Sequence, residues 1–404
     1  MKAVIWGAGG YLELVLKYIG SDVMIQYVVD SDKKKQGMSI SKGIKVISPE
    51  ELRKVSFDLI IVSVQDDKAI EQDIERLGYG AKTVYFWRDY ANENRNAAIF
   101  KNRIRELQNE IQKNRIYQAR LDSAPYEWGI KKIKVPEIKS AELLLQKMLQ
   151  DGSSLCRYGD SDFEIILGRD RAWYQKKNDN LAKHLKEILR VNNPDINIAI
   201  AQNFRGLERY TEKAADGIRL YLEGNVRHEV ASLLSDEVTY YDAYVSRPYC
   251  IYKDSKNADV IFPLFKKLWK NRDVCIIEGV FGRFGIGNDL LSHVGSVSRI
   301  ACPARNAWDK YGLIKSYIMN NIQKDRLLLI SLGSTATVLA YELALEGYQA
   351  VDIGQLDNEY DWYLAKTPDR IAIKGKMVAE VSQKWEKEPA IEKVYNQQLI
   401  AKII

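Results

Sequence analysis

Apolar residues fall along the chain in short runs that end at glycine turns, and these runs alternate with stretches of helical spacing. Lys2–Trp6 reads as a buried strand, followed by Gly7-Ala8-Gly9-Gly10 and a helical stretch from Tyr11 to Ile19. Met24–Val29 is a second strand ending in Asp30, and Leu59–Val64 and Thr83–Trp87 are a third and a fourth. Strands alternating with helices imply βαβ units and a parallel sheet. Over residues 91–124 the pattern changes. Gly and Pro are absent, polar residues dominate, and Phe100, Ile104, Leu107 and Ile111 keep helical spacing. This predicts one long amphipathic helix, closed by Pro125. Its apolar stripe either packs on neighbouring structure or forms a homodimer seam through 96–122, and the few heptads favour packing.

From residue 126 the strand–glycine–helix units return. Ser153–Tyr158 leads into Gly159-Asp160-Ser161-Asp162, and Val274–Glu278 into a stretch carrying Gly279, Gly282, Gly285 and Gly287. Leu327–Leu332 leads into Gly333-Ser334-Thr335-Ala336-Thr337, with a helix to Glu346 and a further strand at Gln349–Ile353. Lys384–Ile404 reads as a helical tail of mixed charge. The expected fold class is α/β: a Rossmann-like domain at 1–90, a helical linker at 91–125 and a second Rossmann-like domain at 126–404.

Composition narrows the function. At roughly 100–200 residues per domain, the 404 residues fit two or three domains. With 46% hydrophobic and 28% charged residues the chain reads as a globular protein. Sixty basic against 54 acidic residues leave a net charge of +6, too mild for a nucleic-acid coat, so no nucleic-acid partner is expected. Four cysteines form no C-x-x-C pair, which excludes a disulfide framework or zinc knuckle and fits a reducing cytosol. The expected location is cytoplasmic or peripheral at the inner membrane face. Three scattered histidines leave any metal to carboxylates. No apolar run is long enough for a transmembrane segment, and the first residues lack a signal peptide's layout.

Candidate chemistry sits where strands end. Gly7, Gly9 and Asp30 have the placing of a dinucleotide site, without the third glycine of G-x-G-x-x-G. Asp160 and Asp162, one residue apart after a strand, can both reach a hard cation, although a solvated turn or a helix cap explains them as simply. Arg157 and Arg283 can hold phosphate, and Gly279–Asp289 lets backbone approach a ligand. Glu278 at a strand end and Asp289 are candidate bases. Gly333–Thr337 offers backbone donors and hydroxyls without a P-loop lysine. Asp352, Asp357 and Glu359, among aromatic rings, suit sugar hydroxyls.

In this order, the segments resemble the GT-D glycosyltransferases, a bacterial family first described as a domain of unknown function. The likeness covers about residues 140–385. It rests on Arg157-Tyr158-Gly159-Asp160-Ser161-Asp162, Ser246-Arg247-Pro248-Tyr249, Glu278 with Arg283, and Gly285-Ile286-Gly287-Asn288-Asp289. It extends through Thr335–Tyr341 and Asp352-Ile353-Gly354 with Asp357, Glu359, Tyr360 and Trp362. The resemblance implies a GT-D-type C-terminal domain and a metal-dependent transferase using a nucleotide-diphosphate sugar, typically a UDP-sugar. The family's acidic pair is D-x-E, and here it is Asp160-Ser161-Asp162. Gln355 stands where the family has histidine, so a histidine role does not carry over.

The expectation is glycosyl transfer from a UDP-sugar to a saccharide acceptor on a glycoprotein or surface polysaccharide. Mn²⁺ or Mg²⁺ would rest on Asp160 and Asp162. Arg157, Gly159, Arg283, Gly287, Asn288, Ser334, Thr335, Asp352 and Glu359 would bind the nucleotide sugar, and Glu278, Asp289 or Asp357 would take the acceptor proton. The alternatives are an NAD-dependent sugar-nucleotide oxidoreductase or epimerase centred on Gly7, Gly9 and Asp30, and a non-catalytic scaffold.

Overall fold

The computed structural model describes residues 1–19, 23–40, 43–91, 97–169, 174–378, 381 and 386–404. Positions 92–96 of the predicted helix and Lys384 and Trp385 of the predicted tail lie outside them. The chain divides into two compact units, Met1–Gln118 and Ala119–Ile404.

In the first unit the elements run β1 (Lys2–Trp6), α1 (Leu12–Tyr18), β2 (Met24–Val29), β3 (Ser39–Ile40), β4 (Ile44–Ile47), β5 (Leu59–Val62), α2 (Lys68–Leu77), β6 (Thr83–Tyr85) and α3 (Phe86–Ala91). The sheet order is β3-β4-β2-β1-β5-β6, parallel except at β3–β4. Alternate strand residues enter opposite cores. Ala3, Ile5, Leu59 and Ile61 face one, and Val4, Trp6, Ile60 and Val62 the other. Both faces are covered, so these strands read as continuous apolar runs.

The long helix α4 (Ala97–Glu127) forms as expected but passes through Pro125. Gly129, with φ of 72°, follows its end. Pro125 has no N–H for the Leu121 carbonyl, so the helix loses one ladder bond near its end, while the Pro125 carbonyl accepts from Lys131 N–H at 2.8 Å. Ile104 and Leu107 are buried in the core of their own unit. That is the packing the sequence favoured, and it takes two apolar positions away from the alternative homodimer seam through 96–122.

The second unit opens with β7 (Ile138–Lys139), α5 (Ala141–Asp151), β8 (Ser154–Tyr158), α6 (Asp160–Ile166), α7 (Asp179–Ile188) and β9 (Ile196–Ile200). Then come α8 (Glu212–Tyr221), α9 (Val226–Leu233), β10 (Tyr240–Asp242), α10 (Lys256–Leu268), β11 (Asp273–Gly279), β12 (Ser296–Cys302) and α11 (Tyr311–Asn321). The chain ends with β13 (Leu327–Ser331), α12 (Ser334–Leu345), β14 (Ala350–Asp352), α13 (Leu356–Leu364), α14 (Pro389–Gln398) and β15 (Leu399–Lys402). The sheet order is β15-β12-β11-β13-β14-β8-β9-β10-β7, and the neighbouring strands pair in parallel. Again the residues alternate: Cys156, Ile277 and Ile330 enter one core, and Leu155, Ile276 and Leu329 the other.

The expected tail is a helix only to Gln398. Leu399–Lys402 turns extended and pairs with β12, which its alternating half-buried pattern suits. The chain runs from β8 to β9 and β10 on one side, then fills the other side, with β14 set against β8 and β15 at the far edge. That reversal beside β8 opens a crevice at the carboxyl ends of β13, β14 and β8, where open α/β sheets bind ligands.

Candidate active site

Four expected residues converge at this crevice. Arg157 is the penultimate residue of β8, Asp162 stands in the first turn of α6, Ser334 begins α12, and Asp352 ends β14. Arg157 Nε lies 3.6 Å from Asp352 Oδ1, longer than a hydrogen bond. Arg157 Nε, Asp162 Oδ1, Ser334 Oγ and Asp352 Oδ2 are all buried without a hydrogen-bond partner among the described residues. Buried polar atoms are nearly always paired, so four orphans in one place mark a site built for something else. Asp162 Oδ2 accepts from Gly159 N–H at 2.8 Å, which fixes the turn. Thr337 Oγ1 donates to Arg157 O at 2.9 Å and ties α12 to β8. Gly354 is required here. Its φ is +47°, and a Cβ would lie 2.6 Å from Arg157 Nη2.

Burial pushes the Asp162 carboxyl up to about 6, against the Gly159 N–H, Arg157 and Ser334, which favour its charge. Burial also raises Asp352, opposed chiefly by Arg157. Asp160 is exposed at the lip of the same turn. Among the described residues no three His, Cys, Asp or Glu side chains gather as an all-protein metal cage. The unpartnered Asp162 oxygen fits a hard cation that takes its remaining ligands from substrate phosphates.

A cavity of about 190 Å³ adjoins the cluster, lined by Ser331 to Gly333, Gly354 and Gln355, Gly279 and Phe281 to Phe284, and Pro303 to Ala307. Several expected residues reach this region with their polar atoms already engaged. Glu278 Oε1 pairs with Arg299 Nη1 at 2.6 Å, with side chains 3% and 1% exposed, and its Oε2 accepts from Phe284 N–H at 3.0 Å. It therefore fastens the glycine loop and is no free base. Arg283 grips Glu392 at 2.7 Å, donates to the Val280 and Gly282 carbonyls, and lies 3.7 Å from the Tyr395 ring centre. It holds α14 and is not an open phosphate clamp. Asp357 accepts from Gly285 N–H, Asn288 Nδ2 and Lys376 Nζ, all within 2.8 Å. Lys376 also bonds Asp361, and so does Asn288.

Others lie apart. Asp289 binds Lys266 and the Tyr360 hydroxyl, and Lys266 above all holds its carboxyl below the usual range, which makes it a poor base. Glu359 Oε2 caps the Tyr249 and Cys250 N–H groups, with burial raising its carboxyl. Thr335 is fully buried, its hydroxyl facing Gln175 at 3.5 Å. Gly287, with φ of 87°, approaches Ile391 on α14.

In the first unit, Gly7 has φ of +119°, and a Cβ would meet Ser63 Oγ at 2.5 Å. Asp30 accepts from Ala8 N–H at 2.8 Å, Asp32 N–H at 2.9 Å and Lys35 Nζ at 3.0 Å. Burial raises its carboxyl, but these donors outweigh that and hold it low. Gly9 has open space around it. Asp30 thus closes the glycine loop itself, where a dinucleotide site would turn the acid toward a ribose.

Sequence reasoning missed Arg299 and Lys376. Arg299 carried a signal: a charge inside the apolar run Ser296–Cys302. Lys376 carried none, because its partners are 15 and 19 residues away.

The family profile described as the glycosyltransferase GT-D fold matches residues 155–381, and one described as C2185-like, N-terminal, matches residues 1–85. A probable glycosyl transferase Gly of Streptococcus gordonii is 33% identical over 269 residues, covering 66% of this chain and 39% of that protein. Glycosyltransferase GlyD of Streptococcus pneumoniae serotype 4 is 30% identical over 275 residues, covering 68% of this chain and 33% of that one. The chain therefore spans little more than a third of the length of these relatives. A solved structure of domain of unknown function 1792, described as a distinct glycosyltransferase fold, superposes with a TM-score of 0.62 at 27% identity. It covers 72% of this chain and all of its own. A glycosyltransferase of Streptococcus sanguinis gives a TM-score of 0.60 at 30% identity, over 66% of this chain and all of its own.

Two outcomes follow from the geometry. Glu278→Gln leaves Arg299 charged and buried without its partner, so thermal and urea melts are expected to show a loss of about 3–5 kcal/mol; the exposed Asp289→Asn should cost under about 1 kcal/mol. Asp162 binds its proton more tightly folded than unfolded, so its contribution to stability is present below pH 3.8 and is lost as pH rises through about 6. Asp162→Asn keeps an acceptor for Gly159 and removes the charge. It should gain on the order of 2–3 kcal/mol at pH 7.5 and nothing at pH 3.5; equal stability at both pH values would show that the buried charge carries no cost.

Proposed function

The chain belongs to the GT-D glycosyltransferase fold family, and from that membership we propose that its second unit transfers a sugar from a nucleotide-diphosphate sugar to a saccharide acceptor. The UDP-sugar donor, and an acceptor on a glycoprotein or surface polysaccharide, follow from the family resemblance. The observation that carries the reading is the convergence of unpartnered Arg157, Asp162, Ser334 and Asp352 atoms beside a cavity at the strand ends.

In this reading the donor diphosphate lies against the start of α12, where backbone N–H groups and the Ser334 hydroxyl point at it. Arg157 adds positive charge from below. Asp160 and Asp162 would hold Mn²⁺ or Mg²⁺, which offsets the charge of the departing diphosphate. The acceptor oxygen bonds to the sugar's anomeric carbon, the bond from that carbon to the diphosphate oxygen breaks, and its electron pair leaves with the nucleotide. Asp352 is the carboxylate best placed to receive the acceptor proton or a sugar hydroxyl. Burial raises its affinity for a proton, which suits that exchange. Glu278 and Asp357 build the wall behind it. No helix among the described residues is long and apolar enough to cross a membrane, and a cytoplasmic protein or one at the inner membrane face remains part of this proposal.

The test is nucleotide release from a panel of nucleotide sugars, with and without divalent metal. Release that needs Mn²⁺ or Mg²⁺, and falls at least 100-fold in Asp160→Ala/Asp162→Ala, is the expected outcome. Full activity of that double variant would remove the metal assignment. Full activity of Arg157→Ala and Asp352→Ala together would remove the site.

A further inference from the structure

The cavity wall carries three cations, and they are held differently. Arg283 is spent on Glu392, Tyr395 and two carbonyls, and Lys376 on Asp357 and Asp361. Arg305 lines the same cavity, is exposed, and hydrogen-bonds to none of the described residues.

The loop that presents it is rigid. Asn306 has φ of +54°, a left-handed conformation that a non-glycine residue holds only when its surroundings impose it. Here they do. Asn306 N–H donates to Tyr174 O at 2.6 Å, and Asn306 Oδ1 accepts from Lys176 N–H at 2.8 Å. Two residues on, Trp308 N–H donates to Gln175 Oε1 at 3.2 Å, and the same oxygen takes the Thr335 hydroxyl at 3.5 Å. The segment 174–176 thus fixes the Arg305 loop to the start of α12. There Gly333 lines the cavity, and the Ser334 hydroxyl is buried without a partner. A twelve-residue helix aims its free N–H groups at that point.

We propose that Arg305 takes the diphosphate of the nucleotide donor, the task first expected of Arg283. This deepens the glycosyltransferase reading and rests on it. The guanidinium fork suits two phosphate oxygens, and the strained Asn306 turn holds it at the cavity mouth with no carboxylate among the described residues paired to it. Anionic ligands bind here through Arg305 together with the α12 N-terminus, and the nucleoside without phosphates gains nothing from either.

Calorimetric titration of the purified full chain with UDP and with uridine, at constant salt and Mg²⁺, tests this. Arg305→Ala should weaken UDP binding about 10- to 100-fold and leave uridine binding unchanged. Arg305→Lys, which keeps the charge and loses the fork, should fall between. Being exposed, Arg305 should leave the melting temperature unmoved. Unchanged UDP affinity in Arg305→Ala overturns the assignment while the wild-type binding upholds the glycosyltransferase reading. Equal losses for UDP and uridine would mean that Arg305 shapes the cavity and does not read phosphate, which also overturns it. Failure of the wild-type chain to bind UDP, GDP or dTDP sinks the underlying reading, and the inference with it.

Discussion

The cleft is built around one buried ion pair. Glu278 and Arg299 sit on the neighbouring strands β11 and β12, sealed from solvent, and their other hydrogen bonds reach the glycine loop and α14. Arg299 Nη2 holds Phe284 O at 2.6 Å, its Nε holds Gln398 at 2.7 Å, and Glu278 Oε2 takes the Phe284 N–H. The glycine loop and the last helix are thus pinned to the sheet by the same two side chains. Gly282 must lack a side chain for this, since a Cβ would stand 2.4 Å from Glu278 Oε2. Such a pair is worth little as an isolated source of stability, because desolvating two charges costs about what their attraction returns. Its value lies in position: a mobile glycine-rich loop becomes a fixed wall.

A second constraint works the opposite way. Arg305 apart, the charges on the wall are matched: Glu278 with Arg299, Arg283 with Glu392, Lys376 with Asp357 and Asp361. At the crevice they are not. Asp162 and Asp352 are buried close enough to raise each other's proton affinity, and Arg157 offsets them without completing a hydrogen bond to Asp352. Polar groups left unsatisfied in a low-dielectric hollow are destabilising in the free protein and interact strongly with whatever fills it. The contrast between a satisfied wall and an unsatisfied floor separates residues that build the site from residues placed to act in it.

The first unit shows the same logic with another outcome. Its strand–glycine–helix opening has the outline of a dinucleotide site, yet Asp30 spends its oxygens on Ala8, Asp32 and Lys35. The backbone donor that a phosphate would seek is already bonded from within.

Much of this was legible in the sequence. Apolar runs ending at glycine marked the strands whose ends form the crevice, because a strand buried on both faces needs an unbroken apolar run and its turn needs glycine. Arg157, Asp162, Ser334 and Asp352 followed from standing just beyond such ends. What a carboxylate does there was not legible. Glu278, Asp357 and Asp162 look alike along the chain; only the folded chain shows that Arg299 meets the first and Lys376 the second, while one oxygen of Asp162 has no hydrogen-bond partner among the described residues. Nor could the pattern show that Arg283 turns to α14, that the tail ends as strand β15, or that Arg305, beside a strained asparagine, pairs with none of the described residues. Local periodicity is set by which face is buried, and a sequence records that directly. The ionic partners of a side chain are set by which distant segments the sheet order brings together, and that is decided only when the tertiary structure closes.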